Sequence, residues 1–247
     1  MYNCNWKILW EVSPDGVNTY LQTLINGLGL TLTVALGAWV MALVLGILVG
    51  VVRTTPVKWA VKLGDAYVEL FRNIPLLVQM FLWFYVMPEF LPEIISAYIK
   101  GSPNYSVIAA VVCLGFFTSA RVAEQVKAGI QSLPRGQGMA GTALGLTLPQ
   151  TYRYVLLPMA GRIVIPPLTS EFLNVIKNSA VAFTISVVEL MGAARSMQEF
   201  SFQVFEAFTA ATIIFLIVNG CVILLMRTIE RFTRVPGFIV SGGSGGH

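Results

Sequence analysis

Residues 136–158 read GQGMAGTALGLTLPQTYRYVLLP, a polar interruption of more than twenty residues between two hydrophobic blocks. Its landmarks are Gly145, six residues after Met139, and the run Val155-x-Leu157-Pro158, which starts ten residues beyond that glycine. The residues from 137 to 144 are compatible with a helix, and Gly145 can take the left-handed conformation that closes one. Thr147 is placed to cap a second short helix with Pro149 in its first turn. Leu157-Pro158 is then expected to turn the chain back toward the next apolar block. Two short helices around a tight turn make a rigid knob, which transmits a push as a unit. Between apolar blocks, such a knob is a docking surface.

Outside this stretch the chain is strongly apolar. Hydrophobic residues make up 56% of its 247 residues and charged residues 11%, with a mean hydropathy of +0.75. A soluble domain carries about a quarter charged residues. Five apolar blocks each approach the ~20 residues a bilayer crossing requires. They are 28–52 with an amphipathic lead-in at 17–27, 66–87 broken at Pro75, 105–126, 163–188 and 208–226. The fold class is therefore all-α, a polytopic membrane protein of about five transmembrane helices. Its expected organisation is an N-terminal segment 1–16, a membrane domain 17–235 holding a docking insert at 127–162, and a tail 236–247.

Loop charge sets the expected orientation. Arg53, Lys58 and Lys62 follow the first block, Lys127, Arg135, Arg153 and Arg162 flank the insert, and Arg227, Arg231 and Arg234 follow the last. These are ten of the sixteen basic residues. The other side has only Lys7, Lys100 and Arg195, beside Glu11, Asp15, Glu89, Glu93, Glu199 and Glu206. The positive-inside bias puts the N-terminus outside and the insert and C-terminus in the cytoplasm. A net charge of +4 is too small to suggest nucleic acid as a partner, and the expected surroundings are membrane lipid.

Three cysteines, Cys4, Cys113 and Cys221, are an odd number with no metal-ligand spacing, so neither a disulfide framework nor a metal site is expected. The one histidine, His247, sits in SGGSGGH at 241–247, which reads as a linker and tag remnant. The N-terminal residues lack a basic stretch followed by an apolar run, so no cleaved signal peptide is expected.

Charges inside the apolar blocks mark function, since each costs several kcal/mol unless paired or wet. Glu69, Arg72, Arg121, Glu124, Glu171 and Lys177 are these residues. Spacing of three predicts the pairs Glu69–Arg72 and Arg121–Glu124; Glu171 and Lys177, six apart, meet only across a kink or through another helix. Helix breakers fall at Pro75, at Pro166-Pro167 and at Asn178-Ser179. Broken helices near mid-membrane are where transporters hold cargo. The candidate substrate path is thus Glu69, Arg72, Asn73, Pro75, Arg121, Lys177, Asn178 and Ser179. Arg72 is the preferred contact, because a guanidinium grips a carboxylate by two parallel bonds.

Four segments in consistent order carry a resemblance. ELFRNIPLLVQ at 69–79 resembles E-x-x-R-G-T-P-L-L-V-Q, and VIKNSAV at 175–181 resembles L-K-N-T-S-L. TSARVAEQ at 118–125 and the insert, beginning LPRGQ at 133–137, are the other two. The insert's spacing resembles E-A-A-x3-G-x9-I-x-L-P. Over about residues 16–235 the chain resembles the permease subunits of polar amino-acid ABC importers, the histidine/glutamate/glutamine group. Within that group the insert is most similar to glutamate/aspartate import permeases of Gram-negative bacteria.

The resemblance implies the type I importer fold with cytoplasmic coupling helices, in a bacterial inner membrane. It implies as partners a second permease subunit, two ATP-binding subunits that hold ATP and Mg, and a periplasmic amino-acid-binding protein. Met139, Ala140, Gly141, Gly145, Leu146, Pro149, Leu157 and Pro158 become ATPase-docking residues, with no catalytic residue or cofactor in this chain. One departure matters: the family motif opens with glutamate where this chain has Met139. The missing anion implies a heterodimer whose other permease keeps it. The chain has no G-x-x-x-x-G-K-[ST] phosphate loop, so ATP hydrolysis belongs to another chain.

Two other classes remain for comparison. A secondary transporter or channel uses kinked helices and buried charges too, but leaves the insert unexplained and predicts an inverted repeat absent here. An intramembrane enzyme needs a histidine, an aspartate pair or a serine–lysine couple. Asp15 and Asp65 are the only aspartates, leaving Ser179 near Lys177 as its one resource.

Overall fold

The computed structural model describes residues 4–233; Arg234 and the tail at 236–247 lie outside them. Asp15 builds the entry turn, its Oδ1 accepting from the Val17 and Asn18 N–H groups, both at 2.9 Å. Thr19 then caps α1 (Tyr20–Val52), trading hydrogen bonds with Gln22. The lead-in and the first apolar block are thus one helix. No proline separates them, and Gly27 is kept where a Cβ would stand 2.9 Å from Ala193 Cβ. At ~1.5 Å per residue α1 runs about 50 Å, longer than a ~30 Å hydrocarbon core.

α2 (Lys58–Asn73) stops because Pro75 holds Ile74 in an extended conformation. α3 (Leu76–Phe81) resumes beyond it, continuing as a π turn (Leu82–Val86) and a 3-10 turn (Met87–Phe90). The two halves meet at 102°. Such a break frees backbone carbonyls, and lipid offers them nothing. Gln79 supplies the donors: its buried Nε2 reaches the Phe71 carbonyl at 2.8 Å and the Ile74 carbonyl at 2.9 Å. Phe116 of α5 (Tyr105–Gln131) stacks on Phe71 before the break and Trp83 after it, at 5.2 and 4.7 Å. The bend is therefore pinned from both sides. A short α4 (Glu93–Lys100) lies before α5.

The centre of the bundle is the α1–α5 seam. Ala35, Ala38, Ala42, Gly46 and Gly50 are all buried on α1. A Cβ on Gly46 would fall 2.5 Å from Val122 Cβ, and one on Gly50 2.7 Å from Val126 Cβ. Small residues four apart let backbones approach where lipid gives no hydrophobic drive to associate.

After α5 come α6 (Arg135–Ala143) and α7 (Leu148–Thr151), then a π turn (Tyr152–Leu156) running directly into α8 (Leu157–Asn178). Leu157-Pro158 therefore does not reverse the chain as expected. Pro158 occupies the first turn of α8, where its missing N–H costs nothing. α8 passes through Pro166-Pro167, tightens into a 3-10 turn (Ser179–Ile185), and bends by 49° into α9 (Leu190–Ser201). Ser186 at φ +66° makes that corner. α10 (Val204–Thr233) closes the chain.

Among the described residues there is no β-strand, and three helices, α1, α5 and α10, are long and apolar enough to span a membrane. Counting each bent pair as one span gives five. At one end, Ile8 of the 3-10 turn Trp6–Trp10 packs with Tyr20, Leu24 and Met197. At the other end, Ile130, Leu133, Ala160 and Val164 form a core beneath the insert.

Candidate functional site

The insert is a closed knob. α6 ends on Gly145 at φ +75°, where the Gly145 N–H bonds the Thr142 carbonyl at 3.0 Å and the Leu146 N–H the Gly141 carbonyl at 3.1 Å. These paired closing bonds need a left-handed residue, which glycine supplies without strain. Thr147 stands extended at the start of α7, and its N–H and hydroxyl both donate to Gln150 Oε1, at 2.8 and 2.9 Å. Gly141 lets the two short helices touch: a Cβ there would lie 2.8 Å from Thr151 Cγ2. Apolar side chains face outward, Met139 at 66% and Leu144 at 79% exposure, with Leu148 also exposed. Ala140 and Pro149 are exposed beside them, and Leu146, Leu157 and Met159 are partly buried at the base. From residue 136 to 152 the surface carries no ionisable acid or base except the tyrosine phenol.

A charge cluster lies where α1 ends. Arg53 was counted above among basic loop residues, yet it is only 7% exposed. Its Nε meets Asp65 Oδ1 at 2.7 Å and its Nη2 meets Glu124 Oε1 at 2.7 Å. Lys127 is 3.3 Å from Asp65, and Arg72 is 3.5 Å from Glu124. Nη1 of Arg53 is buried without a hydrogen-bond partner. Glu69, Arg72, Asn73 and Glu124 line a cavity of about 320 Å³ together with Arg53 and Val68.

The predicted pairings are thus replaced by tertiary ones. Glu124 turns to Arg53 and Arg72 rather than to Arg121, because Arg53 is buried and needs two acceptors, whereas Arg121 is exposed. Arg121 lies over the Phe117 ring at 4.6 Å instead. Glu69 is exposed on the cavity wall and makes no ion pair among the described residues. Glu171 and Lys177 do not meet either: Lys177 is exposed, and Glu171 Oε2 is buried without a hydrogen-bond partner.

Of the candidate path, the structure brings together Glu69, Arg72 and Asn73 in the cavity, with Pro75 at the break just beyond. Arg121, Lys177, Asn178 and Ser179 lie apart from it, the last three where α8 tightens into the 3-10 turn. The buried Ser179 hydroxyl donates to the Ile176 carbonyl at 2.8 Å rather than engaging Lys177, so no serine–lysine couple forms.

Two fully buried carboxylates escaped the sequence reading. Glu189 caps α9, accepting from the Met191 and Gly192 N–H groups at 3.0 and 2.8 Å and from Thr31 of α1 at 3.2 Å. Its position one residue before a helical run was the available signal. Glu206, assigned to an outer loop, is buried in the first turn of α10 and accepts from the Asn5 N–H.

Residues 42–235 match the family model described as "Binding-protein-dependent transport system inner membrane component". The chain is 46% identical over 236 residues to the glutamate/aspartate import permease protein GltJ of Escherichia coli (strain K12), covering 94% of this chain and 96% of that one. It is 30% identical over 237 residues to the glutamate/aspartate import permease protein GltK of Escherichia coli O6:H1, covering 94% of this chain and 100% of the other. Among solved structures, it superposes on an amino acid ABC transporter crystallised with histidines, with TM-score 0.73, 28% identity, and coverage of 86% and 95%. The inward-facing MetNI methionine ABC transporter shares the fold, with TM-score 0.74 at 21% identity, covering 91% of this chain and all of that one.

Proposed function

We infer the function from one premise: this chain belongs to the family of binding-protein-dependent transport system inner membrane components. It acts as a permease subunit of an ATP-driven importer of polar amino acids, and its cargo is glutamate and aspartate, as the name of the GltJ relative suggests. The observation that carries this reading is the knob of α6 and α7: rigid, uncharged from residue 136 to 152, and topped by exposed Met139 and Leu144. Such a surface seats in an apolar groove of an ATP-binding subunit, which holds ATP and Mg.

A second permease subunit completes the path. A different chain is favoured, since Met139 replaces the glutamate of the motif and GltJ and GltK are two related permeases of one import name. A periplasmic binding protein delivers cargo at the end bearing Trp6–Trp10. The N-terminus faces the periplasm, and the insert and C-terminus the cytoplasm of a bacterial cell. Glu69, Arg72 and Asn73 line the cargo's way past the break at Pro75, and Lys177, Asn178 and Ser179 line it at the end of α8. Nucleotide-driven closure of the ATPases moves the knobs and shifts the bundle between two openings.

Gly145→Val tests this. The site is open enough for a side chain, so the effect is confined to backbone strain at φ +75° in the knob. Uptake is expected to fall, and less ATPase to co-purify, while the thermal midpoint of the membrane domain stays put. Normal uptake by this variant would contradict the assignment.

A further inference from the structure

We propose that the Tyr152 hydroxyl is a strut carrying displacement of the docking knob into the charge cluster at the end of α1. This rests on the permease reading above and names how its knob is read by the spans. Tyr152 opens the π turn that joins α7 to α8. Its hydroxyl donates to the Thr54 carbonyl at 2.8 Å and lies 3.0 Å from Thr54 Oγ1. Thr54 Oγ1 is itself tied to the Val51 carbonyl at 2.8 Å, so Thr54 moves with the last turn of α1. On the other side, Thr151 abuts Gly141, so α6 and Tyr152 move together.

Thr54 follows Arg53 directly in the chain. Arg53 cannot absorb a shift by swinging into water, because it is buried and already spans Asp65 on α2 and Glu124 on α5. Hydrogen bonds weaken over a few tenths of an ångström. A displaced Arg53 therefore gives up an acceptor, and Glu124 Oε1, now shared between Arg53 at 2.7 Å and half-exposed Arg72 at 3.5 Å, is left to Arg72 alone. Glu124 shared by two guanidinium groups and Glu124 held by Arg72 alone are two discrete arrangements of the kind that coupling requires. Because Arg53, Arg72 and Glu124 all line the cavity, that change rearranges the charge along its wall.

The test uses the full complex, with partner permease, ATPase and binding protein, in proteoliposomes containing glutamate outside. Tyr152→Phe removes one oxygen and leaves every docking residue in place. ATPase stoichiometry and basal hydrolysis are expected to persist, while uptake per ATP falls about three- to tenfold, the span of one lost neutral hydrogen bond. Thr54→Ala keeps the carbonyl acceptor and should lose less. Tyr152→4-aminophenylalanine restores a donor and should recover coupling, which also separates lost relay from lost folding. Adding Glu124→Gln to Tyr152→Phe should cost little beyond either alone, because both act on one relay. Unchanged uptake per ATP in Tyr152→Phe, no recovery by the amino variant, or fully multiplying losses would overturn the strut. Absence of ATP-dependent uptake in the unaltered complex would strike instead at the permease reading.

Discussion

The guanidinium of Arg53 ties Asp65 on α2 to Glu124 on α5, so three helices meet on one buried side chain. Removing a partner from a buried cation costs about 3–5 kcal/mol when both are dry. Glu124 is about a third exposed, which lowers the expected cost of Glu124→Gln to about 1–3 kcal/mol. Thermal unfolding in detergent should show it, with Glu69→Gln, on the same cavity wall but unpaired, shifting by less than about 0.5 kcal/mol. Helix spacing could not have found this cluster. Pairs three apart are worth only about 0.2–0.5 kcal/mol, so any tertiary partner outbids them. At the entry turn before α1, hydrogen bonds from the Asn18 side chain, then the Val17 and Asn18 N–H groups and Ser13, hold the Asp15 carboxyl well below the usual carboxylate range. The folded value is the depressed one, so its support is complete above the ordinary value of 3.8 and is lost as pH falls below it. Amide exchange of residues 16–19 should therefore be independent of protonation at Asp15 from pH 5 to 8 and quicken, after correction for intrinsic rates, in strong acid. An Asp15→Asn chain should lack that acid step.

At the scale of elements, the knob was the most legible part of the chain. Gly145 and Thr147 announce a helix end and a helix start through local backbone chemistry, which needs no tertiary information. The break at Pro75 was equally plain, but its repair by Gln79 was not, since that depends on where a side chain folds back. Leu157-Pro158 misled for a definite reason. Proline stops a helix that precedes it yet fits the first turn of one that follows, and only the π turn before α8 decides between them. Docking through the uncharged stretch 136–152, as proposed, has a measurable consequence. Association with the ATPase through this knob should hold nearly unchanged from 0.05 to about 0.5 M salt, because apolar burial is not screened. Met139→Glu should make the same association salt-dependent in pull-down titrations.

For the whole molecule, the three long helices and two bent pairs place the turn Trp6–Trp10 at one end and the knob with the Arg53 cluster at the other. Only 11% of the apolar window of α10 is buried within the chain, leaving its face to lipid or to a partner subunit. Composition and block length were enough to read this class of architecture, because a bilayer dictates helix length directly. How the spans pack was less accessible: Gly46 and Gly50 look unremarkable in sequence, and only the opposing Val122 and Val126 explain them. In the proposed function, energy input is external to this chain. Glutamate uptake into proteoliposomes, measured with this permease alone and with its partner permease, ATPase and binding protein, puts that claim to its most direct test. Uptake is predicted only in the complete assembly and only with ATP available to the ATPase. Sustained uptake by the permease alone, or uptake indifferent to ATP, would contradict it.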